Sequence, residues 1–380
     1  MIPSLPIDLS GERFQVVYRL TGNEAEARAR AQHICLEQTV EFPADLIPAG
    51  DIRDQIVGRI ESFEQANEQC FDASISYAVE TSGSELTQLL NVVFGNTSII
   101  PGVHVERLEL PDTLLHVFKG PRFGRAGLRE VLNVPSRPLL CTALKPMGLP
   151  PRALADLAYQ LALGGIDIIK DDHGLADQRF APFKERVARC AEAVAQANRE
   201  TGLKCIYIPN ITGPADRIPA NALFAKQAGA GGMLIAPGLV GLDTMRQLAD
   251  EDRVALPIMS HPALQGSFVT HPHHGISHFA LFGQIARLAG ADASIYPNYG
   301  GRFSFSRWEC HSIADGTAAP MAHIKPIFPA PGGGMRLDRV SEMIDLYGRE
   351  VIFLIGGGLH QHGPDLVENC RTFQQLVERG

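Results

Sequence analysis

No stretch of this 380-residue chain approaches the roughly 18–20 uncharged apolar residues that a membrane-crossing helix needs, so no membrane role is expected. No basic segment followed by an apolar one opens it. Met1-Ile2-Pro3-Ser4 does not read as a secretory leader, and the cytoplasm is the expected place. Basic clusters are missing too. The formal net charge is −8, which speaks against a nucleic-acid surface while allowing a local positive pocket for a phosphate. The seven cysteines (Cys35, Cys70, Cys141, Cys190, Cys205, Cys310 and Cys370) are odd in number, scattered and never spaced as CxxC. That pattern excludes a disulfide framework and a cysteine zinc site, and it predicts reduced cysteines used for packing. Low-complexity segments are absent as well.

What is present is an ordinary globular composition, 45% hydrophobic and 20% charged. The length exceeds what one hydrophobic core usually organises, so two domains are expected. From about residue 137 a short apolar, β-rich run ending in polar or glycine residues alternates with a longer helical pattern. The runs cover residues 139–145, 165–172, 205–212, 232–237, 256–261, 293–298, 324–330 and 351–356. Helical patterns cover 151–163, 183–200, 221–228, 242–251, 276–288, 337–346 and 365–378, whereas the stretch between the sixth and seventh runs is less clearly helical. Strands buried on both faces read as continuous apolar runs, and their alternation with helices implies parallel βαβ units. A doubly wound sheet alternates in the same way, but eight even units in roughly 240 residues match a closed (β/α)8 TIM barrel. The preceding segment differs. Strands at 14–20, 34–40, 73–79 and 103–110 with helices at 23–32, 51–65 and 85–94 suggest a ferredoxin-like α+β layer. The expected division is an α+β N-terminal domain over residues 1–130 and a barrel over 131–380, joined within the Gly-, Arg- and Pro-rich stretch 121–137.

In such barrels chemistry sits at the C-terminal ends of the strands. The second run ends Gly164-Gly165-Ile166-Asp167-Ile168-Ile169-Lys170-Asp171-Asp172-His173. A lysine, two carboxylates and an imidazole at a strand exit are costly to bury unless paired or bound to metal. Alternation along the strand sends Lys170 and Asp172 to one side and Asp171 to the other. A structural ion pair between Lys170 and a barrel carboxylate is the competing reading. Pro331-Gly332-Gly333-Gly334 follows the seventh run and Gly356-Gly357-Gly358 the eighth. Either run alone reads as a plain turn. Both together, at matching strand ends, let backbone N–H groups approach an anion, and barrels bind phosphate there. His271-Pro272-His273-His274 and His278 invite a zinc reading, with His274 and His278 four apart on an expected helix. No acidic partner is near in sequence, and a solvated loop leading into a helix is the plainer reading.

Gly164-Gly165-x-Asp167-x-x-Lys170-Asp171-Asp172, continuing as Gln178-x-Phe180 and Phe183-x-x-Arg186, resembles the metal-site motif of RuBisCO and its relatives. The likeness covers nearly the whole chain. In that family the lysine is carbamylated by CO2, and the carbamate, an aspartate and a glutamate hold Mg2+. The resemblance therefore implies Lys170 and Asp172 as ligands, with His173 in the glutamate's place as a third ligand or as an acid/base. Thr142-x-x-Lys145-Pro146-x-Gly148-Leu149 resembles the first barrel strand, which implies Lys145 as an acid/base, while a second family lysine is Met147 here. Tyr207-x-x-Asn210-x-Thr212-Gly213 resembles the third strand, and His261 falls where the fifth carries a functional histidine. Gly332, Gly333, Gly357 and Gly358 resemble one of the family's two phosphate sites. The other looks dismantled: Pro262 replaces an arginine, Pro331 replaces a serine, and Ser294 or Ile295 stands near a missing histidine. Proline offers neither charge nor N–H, so a substrate with a single phosphate is implied.

Tyr299-Gly300-Gly301-Arg302-Phe303 occupies the place of the mobile sixth loop, with Arg302 where the family lysine stabilises carboxylated intermediates. A guanidinium suits phosphate or carboxylate but is no proton donor, so CO2 fixation is not expected. Glu37-Gln38-Thr39, and Asn91 within residues 91–96, resemble the segments that one subunit lends to its partner's site, which implies at least a homodimer. Relatives that do not fix CO2 share proton abstraction next to a carbonyl, giving an enediolate held by Mg2+. With one phosphate site kept and Met147 and Pro262 at the far end, the resemblance points to isomerisation of 5-methylthioribulose 1-phosphate in sulfur salvage. The alternatives are enolisation of a diketo phosphate or decarboxylation of a phosphorylated oxo-sugar acid gripped by Arg302. A non-catalytic sugar-phosphate-binding protein is the reading from another class.

Overall fold

The computed structural model describes residues 7–303 and 305–379. The chain divides into two units, Met1–Lys119 with Gln265–Ile285 and Pro320–Ile324, and Gly120–Leu264 with Ala286–Ala319 and Lys325–Gly380.

In the first unit β1 (Arg13–Thr21), β2 (Arg59–Asn67), β3 (Cys70–Ala78) and β4 (Val103–Glu109) form an antiparallel sheet in the order β4-β1-β3-β2. Helices Glu24–Glu37 and Leu86–Phe94 complete the βαββαβ sequence. The first helix starts at a capping box: Asn23 accepts the Glu26 N–H and Glu26 accepts the Asn23 N–H, each at 3.0 Å. Its buried residues Ala27, Ala31, Ile34 and Cys35 fall at i, i+4, i+7 and i+8, one stripe of a helix. The helix therefore runs through residues 34–37, where the sequence predicts a strand, because Ile34 belongs to that stripe. The predicted helix over 51–65 is also replaced. Only a single turn forms at Ile52–Ile56, and Arg59–Asn67 pairs with β3. β2 is an edge strand, mostly exposed and broken by two register irregularities, so it carries no two-residue apolar period that its sequence could announce.

A short strand, β10 (Gly275–Ile276), joins this sheet parallel to β4. Ile276 thus lies in a strand and not at the start of a helix over 276–288; helical residues begin at His278. His274 sits in the preceding turn, so it shares no helix face with His278. Its ring instead lies 5.7 Å from that of Phe94.

In the second unit the alternating pattern becomes eight parallel strands: β5 (Leu139–Leu144), β6 (Ile168–Asp171), β7 (Ile206–Ile208), β8 (Met233–Ile235), β9 (Ile258–Ser260), β11 (Ala293–Pro297), β12 (Phe328–Gly332) and β13 (Ile352–Leu354). They form two four-stranded runs, β13-β5-β6-β7 and β12-β11-β9-β8, with a parallel bridge from Asn210 to Leu234 leading from β7 to β8. Neighbours follow chain order all the way round, the arrangement of a (β/α)8 barrel. Cys141, Ile168, Ile208, Leu234, Ile295 and Phe328 fill its core, and Leu128 and Leu132 of helix Gly124–Leu132 belong to the same cluster. Between β11 and β12 the chain forms helix Arg307–Ala318, started by a second capping box at Ser306 and Glu309. All seven cysteines are free and buried, and no described helix is long and apolar enough to cross a membrane.

Asp292, just before β11, is a structural clasp. One carboxylate oxygen accepts the N–H groups of Phe123 and Gly124 at 2.8 and 2.7 Å, and the other accepts that of Ile258 at 2.9 Å. Removing the carboxylate leaves buried N–H donors without acceptors. Asp292→Ala is expected to cost about 2–4 kcal/mol in urea denaturation. A loss within experimental error of zero would show that the clasp does not bear on stability.

Candidate active site

Pleating at the end of β6 divides its charged residues between two environments. Asp171 is fully buried on the side of helix Phe183–Thr201, where Arg186 Nε donates to it at 3.1 Å, Tyr207 Oη at 2.7 Å and the Asn210 N–H at 3.0 Å. Arg186, like Asp171, is 0% exposed, so the pair is a dry strut that fixes the strand end. Asn210 extends the strut: its side-chain amide donates to the carbonyls of His173 and Leu175 at 2.9 Å each. The loop carrying His173 is therefore tied to β7 through backbone atoms, leaving the imidazole free to point elsewhere.

Lys170 and Asp172 face the other way. Lys170 is 2% exposed, and its Nζ donates to the Asp171 carbonyl at 3.0 Å. Its burial lowers the amine's pKa, favouring the neutral nucleophile, although Cys141 and Asp172 pull in the opposite direction. Lys145, which follows β5, places Nζ 2.6 Å from Asp172 Oδ1. His173 Nδ1 lies 3.5 Å from the same oxygen. Burial acts to raise the Asp172 pKa. The hydrogen bonds from His173 and Lys145, with the charges of Lys145 and Lys170, outweigh it and hold the carboxyl well below its usual range.

His261, just beyond β9, stacks on His173 with ring centroids 4.3 Å apart and planes 14° from parallel. Its Nδ1 accepts the Ala263 N–H at 3.2 Å, so in the neutral ring the proton resides on Nε2. Burial and the positive charge of Lys170 push its pKa down to about 2. His261 is thus a fixed hydrogen-bond donor.

The expected phosphate glycines separate into two kinds. Gly332 and Gly333 serve close packing. The Leu354 side chain sits where a Gly332 Cβ would be, the Asn298 N–H donates to the Gly332 carbonyl at 2.7 Å, and the Gly333 carbonyl fills the space a side chain on Gly301 would need. Gly358 lies against the Met335 carbonyl. Gly357, by contrast, borders open space, and a Cβ on Gly356 would stand 3.9 Å from Lys145 Cε. Among the described residues, the N–H groups of Gly356, Gly357 and Gly358 donate to no protein acceptor. These three donors beside Lys145 are open to an anion, and Gly356 stands with Gly357 and Gly358 in this. Met147 is half-exposed, with its methyl over Gly174, and so supplies an apolar wall next to His173. Arg302 is not drawn into this group: it is exposed, its guanidinium stands over the Phe303 ring, and its N–H faces the Gly333 carbonyl.

In the first unit Glu37 does meet an asparagine, but it is Asn96, whose Nδ2 donates to Glu37 Oε1 at 3.0 Å. Asn91 bonds its amide to Gln88 within its own helix. Buried Gln38 explains the pairing. It donates to the Asn91 and Val92 carbonyls and accepts the Thr97 N–H, clamping the two segments together.

A dication fits the donor set at β6 on one condition. No described group of three or more His, Cys, Asp or Glu residues is placed to hold a metal ion. With Lys170 as ammonium, two cations face the single carboxylate of Asp172, a balance that repels a dication. A carbamate on the buried Lys170 amine reverses that balance, giving two anionic oxygen donors with the His173 nitrogen beside them.

The neutral state of His261 is open to direct test. Its imidazole 15N shifts are expected to stay those of an Nε2–H neutral ring from pH 8 to pH 5. A titration midpoint near the ordinary 6.5 would contradict the buried-donor assignment.

Residues 124–301 match the family model described as ribulose bisphosphate carboxylase large chain, catalytic domain. A 5-methylthioribulose-1-phosphate isomerase of Rhodospirillum rubrum is 42% identical over 368 residues, 96% of this chain and 96% of its own. A 2,3-diketo-5-methylthiopentyl-1-phosphate enolase of Bacillus licheniformis is 31% identical over 95% of this chain and 90% of its own. The crystal structure of a Rubisco-like protein from Rhodopseudomonas palustris superimposes with a TM-score of 0.87 and 37% identity, covering 96% of this chain and 97% of that one. The cluster of Lys145, Lys170, Asp172 and His173 at the strand exits thus stands in a known frame: the chain belongs to the RuBisCO large-chain family, among its RuBisCO-like proteins.

Proposed function

We infer that this protein is an enolising isomerase of a phosphorylated keto-sugar, with 5-methylthioribulose 1-phosphate as its substrate. The observation that carries the reading is the placement of Lys145. Its Nζ is held 2.6 Å from Asp172 Oδ1, and its Cε borders Gly356 at the start of three free backbone N–H groups. A phosphate on those N–H groups anchors one end of the substrate next to the only half-exposed lysine of the cluster. Lys145 Nζ, once it has given its proton to solvent, takes the proton from the hydroxyl-bearing carbon beside the carbonyl and returns it to the former carbonyl carbon, while the hydroxyl loses its proton to become the new carbonyl of the isomeric ketose. His261 donates its Nε2–H to a substrate oxygen and, being neutral, does not compete for the proton. Met147 offers the far end an apolar surface suited to a methylthio group.

Lys170, Asp172 and His173 would hold a divalent ion, Mg2+ in the resemblance. CO2 adds to the Lys170 amine, the new N–C bond releasing one proton to water. Bound there, such an ion would supply Lewis-acid polarisation of the substrate carbonyl. Burial of the Lys170 amine supports this assignment because it favours the unprotonated nucleophile. The family's shared site implies a homodimer, with Glu37 and Asn96 as the pair one subunit lends its partner. The 42% identity to the named isomerase favours isomerisation over the enolase reaction, whose named relative stands at 31%. Decarboxylation gripped by Arg302 finds no support in that residue's exposed position on Phe303.

The reading is tested by following exchange of a substrate C–H with D2O by NMR, with a divalent ion and bicarbonate present. Lys145→Ala is expected to slow exchange about 10³-fold. Arg302→Ala, at an exposed side chain lying over Phe303, is expected to slow it less than about tenfold. Absence of exchange with the wild-type protein would sink the enolising reading.

A further inference from the structure

We propose that Met147 is a peroxide-sensitive modification site: a hydroperoxide converts its thioether to the sulfoxide ahead of every other described sulfur, and the change falls on the wall beside Lys145, Asp172 and His173. The effect on turnover rests on the enolising reading above, whereas the place of oxidation does not. Three observations carry the proposal. First, access singles the residue out. Met147 is 50% exposed, whereas Met233, Met245, Met259, Met321, Met335 and Met343 are each 5% exposed or less. The thiols offer no easier target. All seven cysteines are buried, and burial raises the pKa of Cys35, Cys141, Cys190, Cys205, Cys310 and Cys370, leaving little thiolate to react.

Second, the side chain is held at the site. A Cβ on Gly174 would stand 2.4 Å from the Met147 methyl and 3.5 Å from Asp172 Oδ2. The backbone of Gly174 is not left-handed, so the missing side chain serves as the room that the methyl occupies. The other oxygen of the same carboxylate, Oδ1, meets Lys145 Nζ at 2.6 Å. The thioether is thus anchored next to the acid/base cluster while half of the residue stays open to solvent.

Third, a thioether reacts without first losing a proton. Its sulfur gives an electron pair to one peroxide oxygen, an S–O bond forms, the O–O bond breaks, and the other oxygen leaves as water or an alcohol. The product sets a strong dipole and a hydrogen-bond acceptor where the wall was apolar. An apolar substrate end loses its partner there. Reduction by two thiols, which become a disulfide as the oxygen leaves in water, restores the wall.

The test is graded hydrogen peroxide treatment of the whole protein as it assembles in solution, with the sulfoxide in each methionine peptide quantified by mass spectrometry. Met1 lies outside the described residues and is counted apart. The sulfoxide is expected to form at Met147 about tenfold faster, or more, than at any of the six buried methionines. In parallel, exchange of the substrate C–H with D2O should show KM raised about tenfold and kcat changed less than about threefold. Methionine sulfoxide reductase with its thiol reductant should return KM to its starting value. Met147→Leu cannot form the sulfoxide and should keep its own starting KM through the same treatment. Comparable oxidation at Met147 and at the buried methionines overturns the proposal. So does a KM that stays unchanged at full Met147 oxidation, or one that rises equally in Met147→Leu. If the untreated protein shows no exchange, the enolising reading fails and the peptide map alone decides the proposal.

Discussion

The buried pair of Asp171 and Arg186 is the contact on which the strand exits of this barrel depend. An ion pair with neither partner exposed gains little net stability, because desolvating both charges offsets their attraction. What it supplies is position. Asp171 also receives the Tyr207 hydroxyl and the Asn210 N–H, so one carboxylate fixes β6, β7 and the helix behind them. Because a strand alternates, pinning Asp171 outward forces Lys170 and Asp172 inward, and the Asn210 amide then places His173.

The inward side is governed by an excess of positive charge. Two lysines and one aspartate leave the exit short of negative charge, and this shortage is why Asp172 holds its proton so weakly. Burial lowers the pKa of the Lys170 amine and so favours its neutral, nucleophilic form, against the pull of Cys141 and Asp172. Lys145 remains as the lysine with solvent access, 40% exposed at its side chain, beside the glycines that face open space. The half-exposed lysine and the unpaired glycine N–H groups are thereby brought to one edge of the mouth by two neighbouring strands, β5 and β13.

The two glycine runs show how alike sequences do different physical work. Gly332 is small because the Leu354 side chain comes too close for a Cβ, and Gly333 because its φ of +77° and the Phe303 ring, 3.1 Å from where a Cβ would stand, disfavour a side chain. Gly356 and Gly357 are small next to open space, with N–H groups left unpaired. Only the second situation leaves donors open to an anion, and nothing in either tripeptide distinguishes the two.

By itself the sequence determined what depends on local period and local chemistry. Eight apolar runs with polar ends specify strands buried on both faces, and the order Lys170-Asp171-Asp172-His173 specifies which side chains share a face of β6. The capping box at Asn23 likewise sets the start of a helix expected there, whereas the helix that the Ser306 box starts lies in the stretch whose pattern is less clearly helical. The tertiary structure alone decided whatever rests on a partner far along the chain. Arg59–Asn67 became a strand because β3 offered it a ladder that its own polar, two-sided sequence does not advertise. Asn96 rather than Asn91 met Glu37 because Gln38 clamps the end of a helix more than fifty residues away. The stack of His173 on His261, and the tautomer that the Ala263 N–H imposes, require the strand exits of β6 and β9 to converge. Local pattern records the period of an element; it holds no record of which distant group will stand opposite, and the chemistry of this site is made of such pairs.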